Sequence, residues 1–223
     1  MTTKLFTQAI TKYILGVLVT GLLIFLPAGT FLFFNGWLFM GLLFIPMFFA
    51  GIILMVKNPD LLKKRLNAKE ELDEQGIVIK LSGLMFIAGF VVAGLGYRYH
   101  WFVLPISFTF AAAVVFIVSY ALYAEVLREN TYLSRTIEVQ ENQKVIDTGL
   151  YGIVRHPMYS VTLLLFLSMP LVLGSVFAFV IFCAYPFIIA KRIKSEEQFL
   201  EKELGGYSEY KAKVKYRLVP YIW

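Results

Sequence analysis

The sequence predicts an all-α, polytopic integral membrane bundle of about six transmembrane helices, completed by amphipathic helices in the C-terminal tail. Three observations predict it. The 223 residues are 59% hydrophobic and only 16% charged, whereas a soluble domain carries about 25% charged residues. The charges are also segregated: no Asp, Glu, Lys or Arg occurs between Lys12 and Lys57, or between Arg155 and Lys191. Finally, 20 of the 21 Lys and Arg residues fall in segments that a six-span chain places on one face, with Arg98 alone on the other. That partition is the positive-inside pattern, and it puts both termini on the cytoplasmic side.

A bilayer core needs ~20 apolar residues per helical span. Each long charge-free stretch holds two such spans and a turn. The apolar runs lack period-two alternation, which selects helices over barrel strands, since lipid leaves every backbone group to be satisfied within the segment. The expected spans are 10–33, 36–56, 81–98, 102–124, 157–173 and 175–192. Lys4 and Lys12 precede an apolar run too long for a signal peptide and without a cleavage site, so it reads as a retained first span. Pro27, Gly29, Asn35 and Gly36 supply turn chemistry after it.

Segment 57–80, with Asn58-Pro59-Asp60, Lys63-Lys64-Arg65 and Glu70-Glu71, reads as an interfacial helix and loop. In the third span, Gly83, Ala88, Gly89, Ala93, Gly94 and Gly96 permit close packing or a cleft near the fourth. Pro157 opens the fifth span, where a proline loses no hydrogen bond. Pro170 and Gly174 turn the chain into the sixth. Beyond it, Phe199, Leu200 and Leu204 recur at helical spacing, Gly205-Gly206 stops that helix, and a short helix follows near 207–215. Two regions result: 1–80, a transmembrane hairpin plus interfacial segment, and 81–223, a membrane core with a binding tail.

Several function classes drop out. The formal net charge is +6, but the basic residues lie between spans, where they orient a membrane protein rather than contact nucleic acid. Two histidines and one cysteine exclude a His/Cys metal cluster and an intramolecular disulfide. The apolar runs hold no charge to serve as an ion pathway.

What remains lies at the basic interface. The run 149–159 (Gly-Leu-Tyr-Gly-Ile-Val-Arg-His-Pro-Met-Tyr) ends a loop and opens a helix. Free N–H groups, the helix dipole and Arg155 attract anions there. Glu196 and Glu197 follow the last span on the same face, and Tyr207, Tyr210, Tyr216 and Arg217 come after them. Such a set suits a zwitterionic ligand with a planar base and a cationic centre. Each part also has a plain reading: a positive-inside anchor for Arg155, a helix cap for His156, a solvated face for the glutamates, interfacial tyrosines.

The ordered set Arg155-His156-Pro157-Met158-Tyr159, Glu196-Glu197, Tyr207, Tyr210 and Arg217-Leu218-Val219-Pro220 resembles the isoprenylcysteine carboxyl methyltransferase family, with its Arg-His-Pro-x-Tyr element and Glu-Glu pair. The resemblance extends upstream through Glu129–Arg135 and Gln143–Gly149, and loosely to Asn58-Pro59-Asp60-Leu61-Leu62. It implies S-adenosylmethionine as cofactor and a lipophilic acceptor entering from the bilayer. By that resemblance Tyr151, Val154, Arg155, His156, Pro157 and Tyr159 line the cofactor site from one side, and Glu196, Glu197, Tyr207 and Tyr210 from the other. Arg217 would steer an anionic acceptor. A carboxylate acceptor is already ionised near neutral pH and needs no base. An amine acceptor would need one, with Glu196 or Glu197 in that role. On this reading Glu197→Gln weakens cofactor binding and leaves the fold intact. Two rivals share the pattern: a nicotinamide-dependent sterol-reductase-like enzyme and a non-enzymatic membrane protein.

Overall fold

Residues 3–66, 73–101, 104–134 and 136–223 are described by a computed structural model. Parts of the expected interfacial loop (Glu70 and Glu71), the start of the expected fourth span and Arg135 lie outside them. The described residues form helices without strands: α1 (Thr3–Ala28), α2 (Phe34–Lys57), α3 (Pro59–Leu66), α4 (Asp73–Arg98), α5 (Ile106–Glu129), a 3-10 turn (Gly149–Gly152), α6 (Pro157–Val172), α7 (Val176–Phe182), α8 (Tyr185–Glu203) and α9 (Tyr207–Lys213).

Five segments among the described residues are long and apolar enough to cross a bilayer: α1, α2, 76–98 of α4, α5, and the run 176–203 that joins α7 to α8. Their outer faces carry large exposed aliphatics, such as Leu22 at 60%, Leu84 at 63% and Val114 at 62%. Those faces belong against lipid, and the chain is an integral membrane protein.

The fifth expected span is a shorter helix. With 16 residues, α6 is about 24 Å long at 1.5 Å per residue, short of the ~30 Å hydrocarbon core. It nonetheless reaches the far side. Three turns meet there: the Leu104 amide donates to the Gly174 carbonyl (3.1 Å), Asn35 Nδ2 donates to Thr109 Oγ1 (3.2 Å), and Arg98 lies against Gly29. Its neighbour α5, with 24 residues, starts at that same end and runs about 36 Å. By length, α6 is therefore about 12 Å shorter than α5.

The returning span is broken. Pro186 near the start of α8 cannot donate to the preceding turn, and the helix interrupts at Cys183–Ala184 between α7 and α8. At the tail, Gly206 (φ +84°) turns α8 into α9, as its sequence position predicts.

The small residues of α4 are a packing seam directed elsewhere than expected. A side chain at Gly94 would collide with the Ile24 carbonyl of α1, and one at Gly89 with the Phe182 ring of α7. The seam holds α4 against α1 and α7, not open beside α5.

Candidate active site

The depth left by the short α6 is filled by the 130–148 loop, the 3-10 turn, α9 and the tail. Two small apolar clusters build this cap. Val126 of α5, Tyr151 and Val161 pack with Leu133, Ile146 and Met158, while Leu204, Tyr207, Tyr210 and Val214 pack with Val139, Val145 and Leu200. Glu129 aligns the turn: its carboxylate accepts from the Leu150 amide (3.0 Å), and it sits where a side chain at Gly149 (φ +53°) would project. Only glycine fits there. Asn130 Nδ2 donates to Tyr151 Oη (3.0 Å), and Tyr210 Oη donates to the Tyr151 carbonyl (2.8 Å).

At the start of α6, Pro157 occupies the first turn as expected, and His156 makes no side-chain cap. Its ring turns instead to Glu197, with Nε2 3.2 Å from Oε1. The same oxygen accepts from Arg155 Nε (2.7 Å), and Oε2 accepts from Arg217 Nε (2.9 Å). Arg155 Nη1 also donates to the Val214 and Lys215 carbonyls, both at 2.8 Å. Glu197, 2% exposed, is thus the keystone between α6, α8 and the tail. Two guanidiniums share its one carboxylate, which leaves excess positive charge beside Arg155.

The expected backbone anion site is taken by the chain itself. The Arg155 amide donates to the Tyr216 carbonyl (2.9 Å) and the His156 amide to the Arg217 carbonyl (3.0 Å). The tail crosses the α6 N-terminus and consumes the donors that an anion would use.

Beside this clamp lies a half-enclosed cavity of about 820 Å³ including its mouth, walled by the 130–146 loop, α6, α8 and α9. Of the residues expected at the site, Tyr151, Arg155, His156, Tyr159, Glu196, Tyr207 and Tyr210 line it together. Val154, Pro157, Glu197 and Arg217 do not; they form the support behind the wall. Arg217 in particular is committed to Glu197 and lies over the Trp223 ring at 5.2 Å.

Arg192 and Asn130 also line the cavity, without having been singled out in the sequence. Arg192 Nε donates to Tyr159 Oη (2.8 Å), and Tyr159 Oη donates to Glu196 Oε2 (2.5 Å). The signal for Arg192 was present: it precedes Glu196 by one helical turn, on the same face.

One wall atom is unmatched. The buried Tyr207 hydroxyl has no hydrogen-bond partner among the described residues. Burial, and then the nearby Glu197 and Glu196 carboxylates, push its ionisation well above the ordinary tyrosine value, so it stays a neutral donor. Burial does the same for Tyr151 and Tyr210.

Residues 106–206, slightly under half of the chain, match the family model described as phospholipid methyltransferase. The match supports a membrane methyltransferase. It runs from the start of α5 through α6 and α8 to the Gly205-Gly206 stop, and so encloses most of the cavity wall. No curated protein matches the chain.

Proposed function

We propose that this protein is a membrane-embedded methyltransferase that moves the methyl group of S-adenosylmethionine to a lipophilic acceptor at the cytoplasmic face. The carrying observation is a polar, tyrosine-rich cavity at the basic-face end of a short helix, most of its wall inside the segment that matches a methyltransferase family.

The wall residues fit such a cofactor. Glu196 and the tyrosine faces suit a cationic sulfonium, the positive excess at Arg155 suits a carboxylate, and the orphaned Tyr207 hydroxyl offers a donor. When bound, S-adenosylmethionine supplies an electrophilic methyl group. The protein holds the wall rigid through the Arg155–Glu197–His156–Arg217 clamp, so alignment is set before the acceptor arrives. Recessing the site below the basic face and covering it with the tail limits water.

A carboxylate acceptor such as isoprenylcysteine is ionised at neutral pH and asks for no base. A phospholipid amine is the second reading, favoured by the description of the matching family. In that case Glu196, whose carboxylate lines the cavity, is placed to take the amine proton.

The test is a binding titration of purified protein with S-adenosylhomocysteine and with NADPH. Saturable binding of the first and none of the second is expected. NADPH binding without S-adenosylhomocysteine binding would overturn the reading in favour of a reductase.

A further inference from the structure

We infer that Arg65 of α3 receives an anionic oxygen group of the methyl acceptor, at a lip of the cavity formed with Ser134 and Met158. The inference rests on the methyltransferase reading and names the acceptor's chemistry.

Helix α3 is firmly seated. Asn58 Oδ1 accepts from the Leu61 amide (3.1 Å), Pro59 opens the helix, and Leu61 and Leu62 are buried. Its C-terminal cations cross from the N-terminal region to the cavity wall. Lys64 Nζ donates to Gln140 Oε1. Arg65 Nη1 donates to the Ser134 carbonyl (3.2 Å) and lies 3.8 Å from Met158 Sδ; Nη2 meets the Tyr123 hydroxyl, with the guanidinium 5.6 Å from that ring's centre.

Every one of these partners of Arg65 is neutral. A half-buried guanidinium ordinarily sits against a carboxylate or phosphate, because its charge is costly to bury unmatched. Among the described residues no carboxylate meets Arg65. Asp60, the only acid of α3, lies at the other end of that helix. By contrast, Arg155 and Arg217 share Glu197. Arg65 is thus a cation whose counter-charge the described chain does not supply.

Its position says where that counter-charge comes from. Ser134 and Met158 both line the cavity, so Arg65 lies one side chain behind the wall. Met158 is unbranched and adapts its shape readily, so a headgroup that displaces it brings its anion to Arg65 and its reacting atom into the cavity. Two sources share this chemistry: the phosphate of an amine phospholipid, and the carboxylate of a prenylated cysteine.

The experiment uses purified protein in neutral detergent, saturated with S-adenosylhomocysteine. Four probes are titrated: phosphatidylethanolamine against diacylglycerol, and N-acetyl-S-farnesylcysteine against its methyl ester. One probe that carries the anionic group is expected to bind at least ~10-fold more tightly than its counterpart without that group, about 1.4 kcal/mol, and the pair that discriminates identifies the source. Arg65→Gln should erase that preference, and Arg65→Lys should keep part of it, both with unchanged S-adenosylhomocysteine affinity. Equal binding within both pairs would overturn the inference. So would a preference that survives Arg65→Gln, or a loss of S-adenosylhomocysteine affinity in Arg65→Gln to the same degree, which marks a wall-holding role. Failure of the wild type to bind S-adenosylhomocysteine would instead sink the parent reading.

Discussion

Replacing Glu197 by glutamine separates a keystone from a ligand contact. The carboxylate is 2% exposed and is shared by Arg155, His156 and Arg217. Glutamine keeps the shape and one acceptor oxygen, but it removes the charge and turns an NH2 group toward a guanidinium. Hydrogen bonds to charged groups contribute about 1.5–3 kcal/mol each, and removing one partner of a buried ion pair costs about 3–5 kcal/mol. The larger figure applies, because two guanidiniums lose their common anion at once. For a chain of this size it corresponds to a fall of about 6–20 °C in the thermal midpoint. The protein carries its own reporter: Cys183, its single cysteine, is half-buried at the α7–α8 break and reacts with a thiol dye as the bundle opens. Glu196→Gln is the control. Glu196 is half-buried and lines the cavity, so its midpoint should move by no more than about 3 °C while S-adenosylhomocysteine affinity falls. A wild-type midpoint for Glu197→Gln, or an equal fall for Glu196→Gln, would refute the assignment of these two roles.

Two further outcomes are expected. Tyr207→Phe removes a buried hydroxyl that has no partner, so the ligand-free midpoint should hold or rise, while S-adenosylhomocysteine affinity drops about 5–10-fold by loss of one hydrogen bond; a fall in midpoint with unchanged affinity would show the hydroxyl to be structural. In a Cys183→Ser background, a cysteine at Leu32 should react with an impermeant thiol reagent applied outside intact cells, and one at Lys213 only after lysis. The reverse pattern would invert the proposed orientation.

The bundle was legible in the sequence because lipid imposes so few solutions. Charge-free runs, prolines and glycines located α2, α6 and the Gly206 turn within about two residues, whereas α1 runs Thr3–Ala28 rather than the expected 10–33. The helix ends were less legible. Helix α5 extends to Glu129, beyond the expected boundary at 124, because a helix need not stop where apolarity does. The seven residues gathered at the cavity could be named in advance from their ordered spacing. Glu197 and Arg217 were also named, but sequence order could not tell a wall from its support. That distinction depends on which side of α8 a carboxylate faces, and one residue of rotation turns Glu197 to the clamp and Glu196 to the cavity. The anion site at the α6 N-terminus failed for a related reason: nothing local in 149–159 reveals that carbonyls from 216 and 217 arrive to occupy its amides.

The length of α6 ties these features together. A full-length span in its place would bring Arg155 and His156 out to the membrane surface, where water would screen their charges and compete for Glu197. At 16 residues, the helix stops early, and the polar cluster comes to lie at the depth of the neighbouring apolar helices. Charges at that depth persist only when matched, which accounts for the tail: its carbonyls and Arg217 complete the clamp from the aqueous side. The same depth serves the proposed reaction. A lipophilic acceptor remaining in the bilayer can present its head to the cavity at the end of this short helix without leaving lipid, and the polar donor can enter from water between the 130–146 loop and α9. The two substrates then meet at a wall whose geometry neither has to organise.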